Sequence, residues 1–292
     1  MPASSRRPVS VHLILLVVQV CFASLAVVGK KALVAIPPGV IVSTRVAGGA
    51  LVFFLLARRQ GPLRVARGDL GRLVLCALFG VVVNQLLFVN GLERSTATSA
   101  SVLGTTIPVF TTVFAVAAGA ERLRRWRALG IAIALAGALV LVRIDRFSWS
   151  DRHAVGNLMI VANSASYAIF LVIVRPLAGR VAPMPLVALL FACAVPFVGA
   201  AELGAWIRFA PRLDAGAAGF LAFLVAVPTV AAYALNQIAL ARAESSLVAS
   251  YIYVQPVVAA LGAWLYIHEV PEARLLVAAP LVFLGVWVSA RA

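Results

Sequence analysis

Ten apolar runs dominate this chain, each close to the roughly 20 residues that a helix needs to cross about 30 Å of hydrocarbon. They lie near residues 10–29, 38–57, 73–92, 96–118, 126–143, 155–174, 185–207, 216–241, 245–267 and 274–290, divided by charges and turn residues. Hydrocarbon offers no water to a free N–H or C=O. Each run must therefore bond its own backbone, and the helix is the fold that does so within one segment. The pattern predicts an all-α integral membrane protein of about ten transmembrane helices. Pro37 and Pro38 open the second run, Gly61 and Pro62 mark the loop after it, and Pro183 and Pro185 precede the seventh. Between the eighth and ninth runs stand only Arg242-Ala243-Glu244, a hairpin too tight for an inserted domain.

Composition agrees with that reading. Hydrophobic residues make up 63% of the 292 and charged residues 12%, against about half and about a quarter in an ordinary soluble domain. A soluble fold of this size cannot hide so much apolar surface, so the lipid bilayer is the expected surrounding. A formal charge of +15 would suggest nucleic acid in a soluble protein. Here the basic residues sit in short loops, as at Arg58, Arg59, Arg64, Arg67 and Arg72. Such clusters hold loops on the cytoplasmic side, so no nucleic-acid partner is expected. The same bias, strongest in the first half, predicts that both termini are cytoplasmic. Arg6 and Arg7 before an apolar stretch resemble a secretory signal, but the run is long enough to span and an uncleaved first helix is the preferred reading. Arg outnumbers Lys 23 to 2, which suggests a GC-rich bacterial genome, and a bacterial plasma (inner) membrane is the expected location. Cys21, Cys76 and Cys193 fall inside apolar runs and read as small hydrophobes rather than a disulfide framework.

An internal repeat carries the most information. Residues 93–143 and 241–291 align without a gap: Arg94 falls on Arg242, Pro108 on Pro256, Glu121 on Glu269, Gly137 on Gly285 and Arg143 on Arg291. The first helix of each half matches more loosely, with Phe22 on Tyr167 and Lys30 on Arg175. Two five-helix units are expected, over 1–147 and 148–292. Five is odd, so the second unit would enter the membrane upside down. Inverted repeats of this kind recur in secondary transporters, with the solute site near the midplane between them.

The stretch Gly91-Leu92-Glu93-Arg94-Ser95-Thr96-Ala97-Thr98-Ser99-Ala100-Ser101, followed by Pro108, Glu121 and Gly130, resembles the EamA-type pattern of the drug/metabolite transporter superfamily. Ala243-Glu244-Ser245-Ser246 through Pro256 to Glu269 resembles a second copy, covering with the first nearly the whole chain. The second copy departs from the pattern, with Val270-Pro271 after Glu269 and no clear glycine in place of Gly130. The resemblance implies a ten-helix basket with a central cavity walled by helices 1, 3, 4, 6, 8 and 9. It implies a carrier, more often an exporter, of small organic metabolites such as amino acids or amphipathic compounds.

Polar groups in hydrocarbon are costly unless paired, so they identify faces turned inward. Thr229, Tyr233, Asn236 and Gln237 share one stripe of helix 8, and Tyr251 and Gln255 lie one turn apart on helix 9. Asn163, Ser164 and Tyr167 share a face of helix 6; Asn84 and Gln85 sit mid-span on helix 3, and Gln19 in helix 1. As substrate-binding candidates Gln19, Asn84, Gln85, Asn163, Tyr167, Tyr233, Asn236, Gln237, Tyr251 and Gln255 would give neutral donors, acceptors and aromatic walls. Interhelical hydrogen bonding is the competing reading for each of them. Thr98, Ser101, Thr105 and Thr112 on helix 4, and Gly48-Gly49 on helix 2, read as close helix packing.

Arg45 is the basic residue well inside a span. It could bind an anionic solute group, pair with Glu202 or snorkel outward, and a structural role is the favoured expectation. Glu121 and Glu269 flank the starts of helices 5 and 10, where an acid satisfies free amides and suits the helix dipole; proton coupling is the alternative. Pro108 and Pro256 read as structural. There is no HExxH motif, intramembrane aspartate pair, G-x-S-x-G elbow or phosphate-binding loop, so no cofactor, metal or enzymatic role is expected. A channel or a non-transport membrane subunit is the remaining alternative. The expected partners are a small-molecule substrate and lipid, and nothing in the sequence bears on oligomeric state.

Overall fold

The computed structural model describes residues 8–119, 124–240, 242, 248 and 251–291. Among these every regular element is helical. Eight helices are long and apolar enough to cross a membrane: α1 Val11–Ala32, α2 Pro38–Ala57, α3 Arg67–Arg94, α4 Ala97–Ala117, α5 Arg125–Val142, α6 Arg152–Ile173, α7 Pro183–Arg212 and α8 Ala215–Ala239. Two shorter apolar helices follow, α9 Tyr251–Ile267 and α10 Leu275–Ser289. The ninth run was expected from residue 245, but 243–247, 249 and 250 lie outside the described residues. So do Glu121 and most of the Arg242-Ala243-Glu244 hairpin.

Helix starts follow the local chemistry. Proline occupies the first turn of α2 and of α7, where its missing N–H has no intrahelical role. Thr96 caps α4 by accepting from Ser99 N at 3.0 Å, and Asp214 caps α8 through Ala217 N at 2.7 Å. Asp151 caps α6 through His153 N at 2.9 Å and Ala154 N at 3.2 Å.

Four helices are interrupted. A π-helical turn occupies Leu78–Val82 in α3 and another Ala226–Ala231 in α8. In α4 the ladder breaks at Thr105 and Thr106, just ahead of Pro108. In α9 a 3₁₀ turn over Tyr251–Val254 precedes Pro256. Proline supplies no N–H and crowds the carbonyl four residues back, which accounts for both breaks.

Small residues set the closest crossings. A Cβ on Gly130 would lie 2.4 Å from Ser289 N, one on Gly137 2.8 Å from Ala278 O, and one on Gly285 2.2 Å from Ala134 N. Backbone therefore meets backbone between α5 and α10, and the pairing order makes them antiparallel. The same order holds between α2 and α7: Gly39 lies beneath Glu202, and Gly49 beneath the Phe191 ring. The Gly48-Gly49 reading as packing agrees. α3 and α4 lie against α6, α8 and α9 against α1, and α4 against α9. Buried apolar side chains gather around Phe53 and Phe191 on one side and around Leu103, Leu141 and Ile160 on the other.

One end of the bundle is laced by polar bonds. Lys30 Nζ donates to the carbonyls of Leu92 at 2.8 Å and Glu93 at 3.1 Å, and to that of Ser95. Ser95 Oγ donates to Asn157 Oδ1, while Asn157 Nδ2 donates to Leu141 O at 2.6 Å. Glu269, beyond the end of α9, accepts from Ala97 N at 2.8 Å, Thr98 N at 3.0 Å and Thr98 Oγ1 at 2.7 Å. Glu269 thus caps a helix start, but that of α4 rather than that of α10, which the sequence order suggested. Sequence proximity pointed to the nearest helix; the tertiary packing of α9 on α4 supplies a different one.

Candidate functional site

A cavity of about 210 Å³ opens in the interior of the bundle. α1 contributes Phe22, Leu25 and Ala26, α3 Asn84, Gln85 and Phe88, and α4 Ala100, Ser101, Gly104 and Ile107. α6 contributes Asn163 and Tyr167, α8 Pro228 and Tyr233, and α9 Ile252 and Gln255, with Arg45 entering from α2. A second hollow of about 340 Å³ lies between α2 and α7. Its walls are mainly Val46, Val195, Val198 and small residues, and the polar atoms of Ser43, Thr44 and Trp206 there bond within the protein.

The interrupted helices build the polar wall. A π turn inserts one residue, turning everything beyond it by about 100° relative to an unbroken helix of 3.6 residues per turn. It also frees carbonyls from the ladder. On α3, Ser166 Oγ of α6 donates to the Phe79 carbonyl inside the turn at 2.8 Å, and Asn163 Nδ2 donates to the Asn84 carbonyl just past it at 2.7 Å. Gly80 within the turn lets the Phe170 ring approach; a Cβ there would lie 2.6 Å from it. On α8, Thr229 inside the π turn donates its hydroxyl to Leu224 O at 2.8 Å. Its oxygen accepts from Arg45 Nε at 3.0 Å, and Arg45 Nη1 donates to Gln85 Oε1 at 2.6 Å. Arg45 therefore ties α2 to α3 and α8 at the edge of the cavity.

Aromatic contacts fix the other wall. The Tyr233 ring lies 5.8 Å from Phe22, 5.9 Å from Phe53 and 5.8 Å from Phe191, edge-on or tilted to each. Such pairs are worth about 0.5–1.5 kcal/mol beyond area burial. Tyr167 packs at 5.3 Å on Phe170. Gln255 donates to Gln19 Oε1 at 2.7 Å, so Gln19 stands behind a cavity residue rather than in the wall.

Of the residues singled out from sequence, Asn84, Gln85, Asn163, Tyr167, Tyr233 and Gln255 meet in this one cavity. Asn236, Gln237 and Tyr251 are not in its wall. Tyr251 bonds His12 instead. Tyr233, Asn236 and Gln237 share the unbroken helical stretch Ala232–Leu240 past the π turn, so Asn236 and Gln237 differ from Tyr233 by standing about one turn farther along α8. Arg45 is 4% exposed and lies in the cavity wall, away from Glu202, which packs over Gly39. Phe22, Phe88 and Ser101 join the wall without having been picked out for it. Charge alone marks Arg45 in the sequence; Gln85 and Thr229 reach it from α3 and α8 only through tertiary packing.

Outside the spans, the laced end carries ion pairs. Arg143 bonds Asp151 Oδ2 and Glu272 Oε2, both at 3.0 Å, and Arg274 grips Asp145 bidentately at 2.6 and 2.9 Å. The Arg274 hydrogen bonds pull the Asp145 carboxyl down to about 2. The amide of Ala154, with help from Arg143, lowers that of Asp151. Among the described residues no group of His, Cys, Asp and Glu is placed to hold a metal ion.

The chain resembles known proteins over most of its length. A model of the EamA-like transporter family matches twice, at residues 9–143 and 154–291. An uncharacterized transporter of Archaeoglobus fulgidus is 23% identical over 236 residues, 79% of this chain and 80% of that protein. A WAT1-related protein of Arabidopsis thaliana is 28% identical over 132 residues, covering 43% of this chain and 35% of the relative. A solved crystal structure superposes with a TM-score of 0.65 at 21% identity over 98% of both chains, a likeness of fold alone. With two family matches that between them span nearly all of it, this integral membrane chain belongs to the EamA-like transporter family.

Proposed function

We propose that this chain is a secondary transporter, in the exporting direction, of small organic metabolites, working by alternating access between two inverted five-helix halves over 1–147 and 148–292. The observation that carries the reading is the cavity, walled by helices of both halves and lined by amides, phenols and one guanidinium. Its volume falls below the ~300–1,000 Å³ of drug-sized ligand sites, which suits a solute of about amino-acid size.

Several features support the inverted arrangement. The π turns of α3 and α8 start 148 residues apart, at Leu78 and Ala226, the same offset that places Pro108 on Pro256. The corresponding pairs α2–α7 and α5–α10 run antiparallel, as units inserted with opposite polarity require. Exchanging each helix with its partner five places on turns the α3–α6 contact into α8–α1, and α4–α6 into α9–α1; both exist. That the family model matches twice, at residues 9–143 and 154–291, supports a chain of two similar units.

Reconstituted counterflow against a metabolite panel tests the function, with Asn84→Ala and Gln255→Ala as cavity variants. Altered apparent affinity with normal insertion is expected; unchanged kinetics in both variants removes the cavity from the mechanism. For topology, single cysteines at Ser150 and near the C-terminus, in a background lacking Cys21, Cys76 and Cys193, should label from opposite faces of a bacterial plasma membrane. The C-terminus, like the N-terminus, is placed in the cytoplasm. Labelling of both sites from one face defeats the inverted arrangement.

A further inference from the structure

Among the described residues Arg45 holds the formal charge of the cavity wall, and no Asp or Glu lines it. It is 4% exposed, and its bonds go to neutral acceptors, Thr229 Oγ1 and Gln85 Oε1. Among the described residues no carboxylate pairs with it. Glu202 packs over Gly39, six residues and about 9 Å away along α2 at 1.5 Å per residue. A guanidinium has five N–H donors in a planar fork. Two are used here, by Thr229 and Gln85, and they fix the plane of a side chain that lines the cavity. Thr229, inside the π turn, is itself held by its bond to Leu224 O just ahead of the turn. An unneutralised guanidinium at membrane depth is costly, and such residues mark solute paths.

Resting on the transporter reading above, we infer that the solute is a small organic monocarboxylate whose carboxylate docks on Arg45. The planar fork matches a carboxylate in a bidentate pair. Phe22, Phe88 and Tyr167 offer apolar and aromatic surface for an uncharged body, and Asn84 and Asn163 offer neutral polar partners. With no acid in the wall to receive an ammonium group, a simple carboxylic acid is preferred over an amino acid. With a single cation in the wall, a monoanion is preferred over a dianion.

The test compares acids with their primary amides, which share shape and differ in charge. Acetate and acetamide, benzoate and benzamide, and phenylacetate and phenylacetamide are the probes, with phenylalanine and inorganic phosphate as further arms. The purified full chain in nanodiscs at pH 7 is followed by ligand-induced thermal shift, and the chain in proteoliposomes by counterflow. At least one acid should bind the wild type about 10-fold to 100-fold more tightly than its amide, the scale of a charge-assisted bond. Arg45→Gln should erase that difference while leaving the amide affinity in place. Arg45→Lys should narrow it, since the charge stays and the fork is lost. If Arg45→Gln does not fold, as judged by gel filtration, Arg45→Lys and the wild-type comparison decide. Equal affinity for acid and amide throughout, no response to any acid, a preference surviving in Arg45→Gln, or stronger binding of phenylalanine or phosphate overturns the inference. A wild type that exchanges neutral solutes but ignores the acids sinks this inference and leaves the transporter reading standing. One that binds acids yet exchanges nothing across the bilayer does the reverse.

Discussion

Glu269 offers the sharpest energetic test of how the bundle is held together. Its carboxylate accepts three bonds at the start of α4, from Ala97 N, Thr98 N and Thr98 Oγ1. Ala97 is fully buried and Thr98 is 2% exposed, so water cannot readily replace a lost acceptor. The first amides of a helix carry the positive end of its dipole, which favours an anion there. Glu269→Gln keeps an acceptor oxygen and removes the charge, and should cost about 1–2 kcal/mol. Glu269→Ala removes both oxygens and strands buried amides, and should cost about 2–4 kcal/mol. Equilibrium unfolding in mixed micelles titrated with SDS measures both. The double variant with Thr98→Val should show a coupling of about 1 kcal/mol, because the two side chains share one bond. If Glu269→Ala unfolds within about 0.5 kcal/mol of wild type, as a surface change would, or if Gln and Ala cost the same, the cap is not the origin of the stability.

Two further outcomes follow from the crossings and the ion pairs. Gly137→Ala puts a methyl 2.8 Å from both Ala278 O and Val282 N, and should cost about 1–3 kcal/mol by overpacking; Gly219→Ala in α8, with nothing near its Cβ, should not destabilise. Asp145 has a folded pKa of about 2 against an ordinary 3.8, so its contribution is present above that ordinary value and is lost as pH falls toward about 2. Melting temperatures of wild type and Asp145→Asn, measured from pH 7 downward, should differ most at neutral pH and converge in the acid range; a gap that widens on acidification refutes this.

How much of this was legible in the sequence depended on the physics behind each signal. The spans were readable because lipid imposes one rule on every apolar run, and eight of them reappear within a few residues of their expected bounds. Asn84, Gln85, Asn163 and Tyr167 were legible as inward-facing because polar groups avoid lipid. Asn236 and Gln237 share the helical stretch of Tyr233 but stand about one turn past it, and periodicity reports the face of a helix, not where along it a cavity ends. Arg45 was noticed for its charge but not for its side of the helix: with no acidic partner on its own helix, its neighbours had to come from α3 and α8. The partner of Glu269 was illegible for the same reason, since α4 precedes it by far in the chain and meets it only through packing.

The backbone contact between α5 and α10 has a consequence for motion. Neither helix contributes a side chain to the cavity. At Gly130, Gly137 and Gly285 their main chains approach so closely that sliding by one turn would drive a larger side chain into the partner. In the proposed cycle this pair acts as a hinge pin, fixed in register, about which the remaining helices tilt. Widening the pin would stiffen the carrier without touching any atom that meets the solute.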